Sequence, residues 1–194
     1  TNITDMSAMF NGGRNLNVVG DLSQWNVANV TSMRNMFQND SKLENLGNLG
    51  RWQTGNVTDM SFMFNKAGSL TNVGDLSKWD VANVTNMKAM FQADNKLKNL
   101  GNLDRWQTGN VTDMSFMFNQ DGSLVNLGDL SKWDTSKVTN MNSMFQADYK
   151  LKDLGNLDHW QTSNVTNMSR MFNQDKSLTN IGDLSHWNTH NVTD

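Results

Sequence analysis

The sequence repeats with a constant period of 27 residues and no insertion or deletion. The triplet Asn/Lys-Val/Ile-Thr begins at residues 2, 29, 56, 83, 110, 137, 164 and 191. We count positions within each unit from the first residue of this triplet, so that Asn56 is position 1 and Phe64 is position 9. A unit this short cannot bury its apolar side chains alone and must stack on its neighbours. The chain is therefore predicted to be a solenoid of seven 27-residue turns, running from Asn2 to His190.

Neighbouring units alternate between two forms, one containing MFN and GDLS and the other containing MFQ and GNL. The segment from Arg51 to Asn65 is identical to the segment from Arg105 to Asn119, as expected if a pair of units was duplicated. We predict one domain over residues 1–194, consisting of a single uncapped repeat array. The partial eighth unit at residue 191 leads us to expect a fragment of a larger surface protein.

Each unit is predicted to combine one short helix with one short parallel strand, giving an α/β repeat. Thr58 followed by Met60, Met63 and Phe64 has the capping residue and apolar spacing of a short helix. The following apolar residues, at positions 18 and 21, are three apart and out of step with a strand. The invariant glycine at position 19 is expected to form a bulge that turns both residues inward. This prediction concerns Gly20, Gly47, Gly74, Gly101, Gly128, Gly155 and Gly182.

The recurring methionine, phenylalanine, leucine and tryptophan columns are predicted to form the core. Methionine suits an irregular gap because its thioether side chain is flexible. The alternative is a sulfur-rich metal site. The tryptophan at position 24 is likewise interpreted as a core residue, with a partly exposed sugar-stacking platform as its alternative.

Composition argues against several functions. There is no cysteine, and the net charge of −3 argues against nucleic-acid binding, which requires a basic surface. Nearly every polar residue recurs from turn to turn, whereas an enzyme needs one convergent site. We therefore expect no enzymatic activity, no cofactor and no metal. The Asn-x-Thr triplets are interpreted as turn or ladder residues instead of glycosylation sites, and the aspartates at position 20 as an outward-facing, solvated stripe.

One column is a candidate binding site. Position 23 carries basic residues in six successive units, after Gln24 in the first. These residues are Arg51, Lys78, Arg105, Lys132, His159 and His186. Stacked like charges repel, so their persistence suggests a stripe that binds anionic glycans or an acidic partner. The alternative is that they serve solubility and ion pairing between turns.

The string from Leu70 to Phe91, and again from Leu124 to Phe145, closely resembles the BspA-type leucine-rich repeat of bacterial surface proteins, the DUF285 family. The resemblance covers the whole chain. It implies a leucine-rich solenoid displayed outside the cell, often anchored to the wall of lactic acid bacteria and other Gram-positives. It also implies adhesion to host mucin, extracellular matrix proteins or other cells.

From the resemblance and the basic column, we expect an adhesin repeat domain that binds a host or neighbouring-cell glycoprotein. A passive stalk and a self-associating aggregation module remain alternatives. Of the 19 acidic residues all but Glu44 are aspartate, so the net charge should rise from −3 to about +9 near pH 4. Adhesion to anionic glycans is therefore predicted to strengthen in acid.

Overall fold

The computed structural model describes residues 2–194 and shows a solenoid in which one turn corresponds to one sequence unit. Equivalent residues of successive turns form parallel β-bridges in two columns, at positions 4 and 17. The bridges at position 4 join Asp5, Ser32, Asp59, Asn86, Asp113, Asn140 and Asn167 in series. Those at position 17 join Asn45 to Asn72, Asn99 to Asn126, and Asp153 to Asn180. The predicted parallel stacking in a 27-residue register is confirmed.

Regular secondary structure within a turn is much shorter than predicted. The helices found in residues 2–194 are four 3-10 helices, Leu49–Arg51, Leu76–Lys78, Leu130–Lys132 and Leu157–His159. The parallel pairing consists of isolated bridges outside any longer strand. The prediction of a short strand plus a short helix in each turn is therefore wrong in detail. Within the described part of the chain, no helix is both long and apolar enough to cross a membrane.

The predicted helix after Thr58 fails because the backbone is needed for pairing between turns. Phe62, at position 7, has a φ of 57°, a left-handed conformation that an α-helix cannot contain. Its N–H donates to the carbonyl of Lys88 in the next turn, at 2.8 Å. Met60 and Phe64 donate in the same way to Asn86 and Met90. Alternate N–H groups thus bind the neighbouring turn, and a helical i to i−4 ladder cannot form.

The core is one continuous apolar cluster in which each column packs on itself from turn to turn. Buried residues extend from Met6 to Met171, and the methionines at positions 5 and 8 belong to this cluster except in the end turns, where Met9 is exposed and Met168 is half-buried. Phe64 stacks on Phe37 and on Phe91, with ring centroids 5.6 and 5.4 Å apart. The predicted packing role of methionine and phenylalanine is confirmed.

The glycine at position 19 is required for two reasons. Gly101 has a φ of 84°, and a Cβ there would collide with Oδ1 of Asp75 from the preceding turn. The residues before and after it in the unit, Leu100 and Leu103, are both fully buried. Glycine does turn both apolar residues inward, as predicted, although it joins a single bridge to a 3-10 turn and does not interrupt a strand.

Candidate functional site

The basic residues of position 23 lie exposed along one corner of the solenoid. Each follows the buried leucine of position 21 and precedes the tryptophan of position 24. In four turns this segment is a 3-10 helix, capped by the side chain at position 20. Asp75, for example, accepts a hydrogen bond from the N–H of Ser77 at 3.0 Å, which directs Lys78 outward. The members of this basic column are Arg51, Lys78, Arg105, Lys132, His159 and His186, all exposed.

Aspartates at position 20 accompany the basic column and are also exposed, as predicted. Hydrogen bonds from the hydroxyl and N–H of Ser77 lower the pKa of Asp75, and the charge of Lys78 lowers it further. Ser131 and Lys132 act in the same way on the pKa of Asp129. The surface therefore carries both positive and negative groups, and Asp75 and Asp129 stay ionised to a lower pH than an ordinary aspartate.

The basic column is free of close ion pairs except at its last member. His186 Nδ1 lies 2.7 Å from Oδ2 of Asp158, although the histidine side chain is 78% exposed. Burial raises the pKa of Asp158, but hydrogen bonds from His186, together with the charges of His186 and His159, outweigh this effect and lower it. Among residues 2–194 this is the one cation–carboxylate pair within ion-pair distance. The guanidinium and ammonium groups in the column therefore remain available to a ligand.

A surface depression of about 480 Å³ lies between two members of the column, Arg105 and Lys132. Asp104, Gln107 and Asn110 supply further polar groups to its wall. Sequence reasoning did not identify Gln107 and Asn110 as neighbours of the column, because they lie at other positions of the unit. The depression thus offers two cations together with amide groups that can donate or accept hydrogen bonds, beside the carboxylates of Asp104 and Asp134.

From Trp52 to Trp160 the tryptophans beside the column are core residues and not a sugar platform, whereas Trp25 and Trp187 in the end turns are half-buried. Trp106 is 2% exposed and stacks on Trp133 at 6.2 Å between ring centroids. Its Nε1 donates to the carbonyl of Leu76 in the preceding turn, at 3.0 Å. A ring that is buried on its faces and hydrogen-bonded at its edge cannot stack on a ligand. The core interpretation is confirmed, and the platform alternative is wrong.

The asparagines of the Asn-x-Thr triplets join neighbouring turns. Asn56 Nδ2 donates to the carbonyl of Ala28 at 2.7 Å, and Asn83 does the same to Gly55. Lys137, which replaces asparagine once, donates to Oδ1 of Asn110 at 2.6 Å. The predicted turn or ladder role of this position is confirmed.

Position 10 carries a ladder of side-chain amides that follows the alternation of units in pairs. Gln92 Nε2 donates to Asn119 Oδ1 at 2.9 Å, and Asn65 Nδ2 donates to Gln92 Oε1 at 2.9 Å. The longer and shorter amides alternate along this ladder. The invariant Asn or Gln at position 10 was the sequence signal for it.

A second polar column, at position 12, is not evident from the sequence pattern. It consists of Asp40, Asp94, Asp121, Asp148 and Asp175. All of them are buried or half-buried. The available signal is an aspartate in five of seven units, in a stretch whose small and polar residues are typical of a loop. In the described residues, no group of three or more acidic or histidine side chains is placed to hold a metal ion.

Among solved structures, the chain is similar to three bacterial leucine-rich repeat proteins. It shares 14% identity with a leucine-rich repeat protein of T. pallidum (79% of this chain, 63% of that one, TM-score 0.29). It shares 12% with one from Bacteroides ovatus (93% and 64%, TM-score 0.20). A leucine-rich cell surface protein of Faecalibacterium prausnitzii is 11% identical (84% and 75%, TM-score 0.18). The chain spans less than two thirds of the length of the first two. These TM-scores are low, and neither the fold nor the proposed function is based on them.

No curated protein matches the chain. The family model described as "Mycoplasma protein of unknown function, DUF285" matches residues 1–100, 44–127, 69–153 and 122–194. These overlapping matches extend from one end of the array to the other, as expected when every unit carries the family's pattern. The chain belongs to the DUF285 family of repeat proteins.

Proposed function

We propose that this chain is the repeat domain of a bacterial cell-surface adhesin, and that its basic column binds anionic glycans on host or neighbouring-cell glycoproteins such as mucin or matrix proteins. The observation that carries the proposal is the exposed line of Arg51, Lys78, Arg105 and Lys132 along one corner of the solenoid. An elongated polymer with repeated negative charges can contact several of these side chains at once. Such multivalent binding strengthens weak individual contacts without any deep pocket.

The depression between Arg105 and Lys132 supports this proposal. Arginine binds carboxylate and sulfate groups through two parallel hydrogen bonds, and lysine adds a point charge. Gln107 and Asn110 can recognise the hydroxyl groups of a sugar in the same depression. Surface localisation and wall anchoring belong to the same proposal.

Acid is proposed to strengthen this binding, but at a lower pH than composition suggests. Serine hydrogen bonds lower the pKa of Asp75 and Asp129, and Ser23 lowers that of Asp21. These aspartates stand beside the basic column, so the local negative charge is lost only below the ordinary aspartate range. The expected rise in affinity therefore begins below about pH 4, where an ordinary aspartate is half protonated.

The experiment compares binding to a mucin that carries sialylated and sulfated glycans with binding to the same mucin after those groups are removed. The test variant carries Arg51→Gln, Lys78→Gln, Arg105→Gln and Lys132→Gln. The control variant carries Lys42→Gln, Lys96→Gln, Lys98→Gln and Lys150→Gln. These four lysines are also exposed, but they lie at positions 14 and 16 of the turn. Both variants lose the same charge, so a difference between them reports the location of the binding surface.

We expect the test variant to lose most of its mucin binding, and the control variant to retain most of it. Added salt should weaken binding by the native chain, because exposed charges are screened within about 10 Å at 0.1 M. Equal loss in both variants would reduce the proposal to nonspecific charge attraction. An absence of binding by the native chain would favour a passive stalk. If the apparent molar mass from light scattering increases with protein concentration, a self-associating aggregation module would be favoured instead.

A further inference from the structure

The aspartates of position 12 form a buried column that runs through the solenoid, here called the aspartate column. Its members are Asp40, Asp94, Asp121, Asp148 and Asp175. In each case Oδ1 accepts a hydrogen bond from the backbone N–H at position 12 of the preceding turn. The N–H of Asp94 donates to Asp121 at 2.8 Å, and that of Asp121 donates to Asp148 at 2.9 Å. One carboxyl oxygen of each side chain is thereby used to join two turns.

The second oxygen of each carboxyl has no such partner. Oδ2 of every member of the aspartate column is buried and makes no hydrogen bond. The side chains of Asp94, Asp121 and Asp148 are completely shielded from solvent. A buried carboxylate oxygen without a donor is far more unfavourable than the same oxygen carrying a proton, because an ion loses more hydration than a neutral group.

Within residues 2–194, no positive charge lies close enough to compensate the aspartate column. None of its members lies within ion-pair distance of a lysine, arginine or histidine in the described residues. The charged groups that act on Asp148 are the neighbouring carboxyls of Asp121 and Asp175, and Asp94 likewise faces Asp121. Burial raises the pKa of Asp94, Asp121 and Asp148 well above its usual value, and the neighbouring carboxyls add to the effect on Asp94 and Asp148.

The two outer members are affected less. Burial raises the pKa of Asp40 and of Asp175 from 3.8 to about 6, although one backbone hydrogen bond opposes the shift at Asp40 and two oppose it at Asp175. The turn between Asp40 and Asp94 carries Ala67 in the column, so Asp40 has no carboxyl neighbour there. The column thus holds its protons most tightly at Asp94, Asp121 and Asp148, the first three of four successive turns that carry an aspartate.

We propose that the aspartate column is a proton-linked stabilising device that makes the solenoid more resistant to unfolding in mild acid than at neutral pH. This inference concerns the scaffold, and it does not depend on whether the basic column binds a ligand. A surface protein built this way retains its shape as its surroundings acidify, the condition under which many proteins begin to lose stability.

The direction follows from proton linkage. Below the ordinary aspartate pKa of 3.8 the column is protonated in both the folded and the unfolded chain. As the pH rises above this value, the unfolded chain releases its protons while the folded chain retains them. Stability must fall with rising pH wherever the folded state binds more protons than the unfolded state. The contribution is therefore complete in acid, and it is lost progressively as the pH rises through 6 and above.

Two turns of the chain already carry a neutral residue at position 12. Ala67 and Gly13 occupy position 12 in two turns, and their N–H groups still donate to Asp94 and Asp40. Asparagine keeps the acceptor oxygen at Oδ1 and cannot ionise. Replacing Asp94, Asp121 and Asp148 by Asn should therefore preserve the hydrogen bonds between turns and remove the proton linkage.

The test measures urea unfolding of the ligand-free chain at about pH 4.5, 6 and 7.5, all above the ordinary aspartate pKa. The triple variant is Asp94→Asn, Asp121→Asn and Asp148→Asn. The matched control is Asp129→Asn, an exposed aspartate at position 20, where Asn102 and Asn156 already occur in neighbouring turns. Carboxyl-carbon NMR of the native chain monitors protonation of the buried aspartates directly.

We expect the unfolding equilibrium constant of the native chain to increase at least about tenfold from pH 4.5 to 7.5, because one unit of pKa shift corresponds to tenfold. The triple variant should lose most of this dependence, and Asp129→Asn should retain it. A flat or opposite pH dependence of the native chain would overturn the inference. So would a triple variant with the native slope, or buried carboxyls that titrate near 3.8 in the NMR spectrum. If the triple variant fails to fold, Asp121→Ala, which reproduces the alanine of the Ala67 turn, takes its place.

Discussion

Trp106 of one turn donates its indole N–H to the backbone carbonyl of Leu76 in the preceding turn, at 3.0 Å. The same bond recurs between Trp133 and Leu103, and between Trp79 and Leu49. Each tryptophan therefore fills the core and donates a second hydrogen bond to a buried carbonyl that already accepts one from a backbone N–H of its own turn. The bond joins neighbouring turns on the inner side of the basic column.

Replacing Trp106 by Ala should destabilise the chain by about 3–5 kcal/mol, as expected for a large aromatic residue removed from a core. Trp106→Phe should have a smaller effect of about 0.5–1.5 kcal/mol, because the Leu76 carbonyl loses one hydrogen bond and keeps the one from the N–H of Trp79. Urea unfolding measures both. Tyr149→Ala is the control, since Tyr149 is 44% exposed. Unchanged stability of Trp106→Ala would show that the ring does not support the core.

The stability of the chain should depend on the volume of the side chain at Met117 and not on its sulfur atom. Met117→Ala is expected to destabilise the chain by about 2–5 kcal/mol, because it leaves a cavity in the core. Met117→Leu, which keeps the volume and removes the sulfur, should have an effect below about 1.5 kcal/mol. Thermal unfolding with and without a chelator provides the measurement. A large effect of Met117→Leu, or a response to the chelator, would point back to a sulfur-containing metal site.

Substitutions at two glycines of position 19 distinguish the effect of backbone strain on stability from that of a steric collision. Gly101 and Gly20 both have positive φ, but a Cβ on Gly101 would meet Asp75, whereas one on Gly20 would meet nothing within 4 Å. Gly20→Ala should destabilise by about 1–2 kcal/mol, the strain of a left-handed residue. Gly101→Ala should destabilise more, and Gly101→Val more still, in urea unfolding. Equal effects of the two alanine substitutions would mean that the collision with Asp75 is relieved without loss of stability.

Glycine should be stabilising at position 11. Gln120 is exposed and has a φ of 64°, while the equivalent residue of the first turn is Gly12, with a φ of 79°. Gln120→Gly removes left-handed strain that exceeds the added entropy of the unfolded chain, so we expect a gain of about 0.5–1 kcal/mol. Lys98→Gly, at an exposed site without positive φ, should be neutral or destabilising under the same unfolding conditions. A loss of stability in Gln120→Gly would contradict the strain argument.

The repeat period, the core columns and the exposed basic column could all be predicted from the sequence. A 27-residue period places equivalent residues in register whatever path the backbone takes within the turn. Recurrence then marks Met117, Phe118 and Trp106 as core residues, because a buried column must be filled in every turn. The glycine at position 19 was also predictable, since its recurrence without exception indicates a conformation that other residues adopt poorly.

Only the tertiary structure decided the path of the backbone and the environment of the aspartates. The spacing of Met60, Met63 and Phe64 suits a helix, but their segment obtains its hydrogen bonds from a turn 27 residues away. The spacing of residues within one segment does not show whether its N–H groups bind carbonyls of the same segment, as in a helix, or those of the neighbouring turn. Asp121 likewise lies in a segment whose small and polar residues are typical of a loop. It is buried because the equivalent segments of the adjoining turns pack on it and form hydrogen bonds with its carboxyl and N–H groups. A single unit determines which residues recur, whereas only the stacked turns determine which recurring polar groups are removed from water.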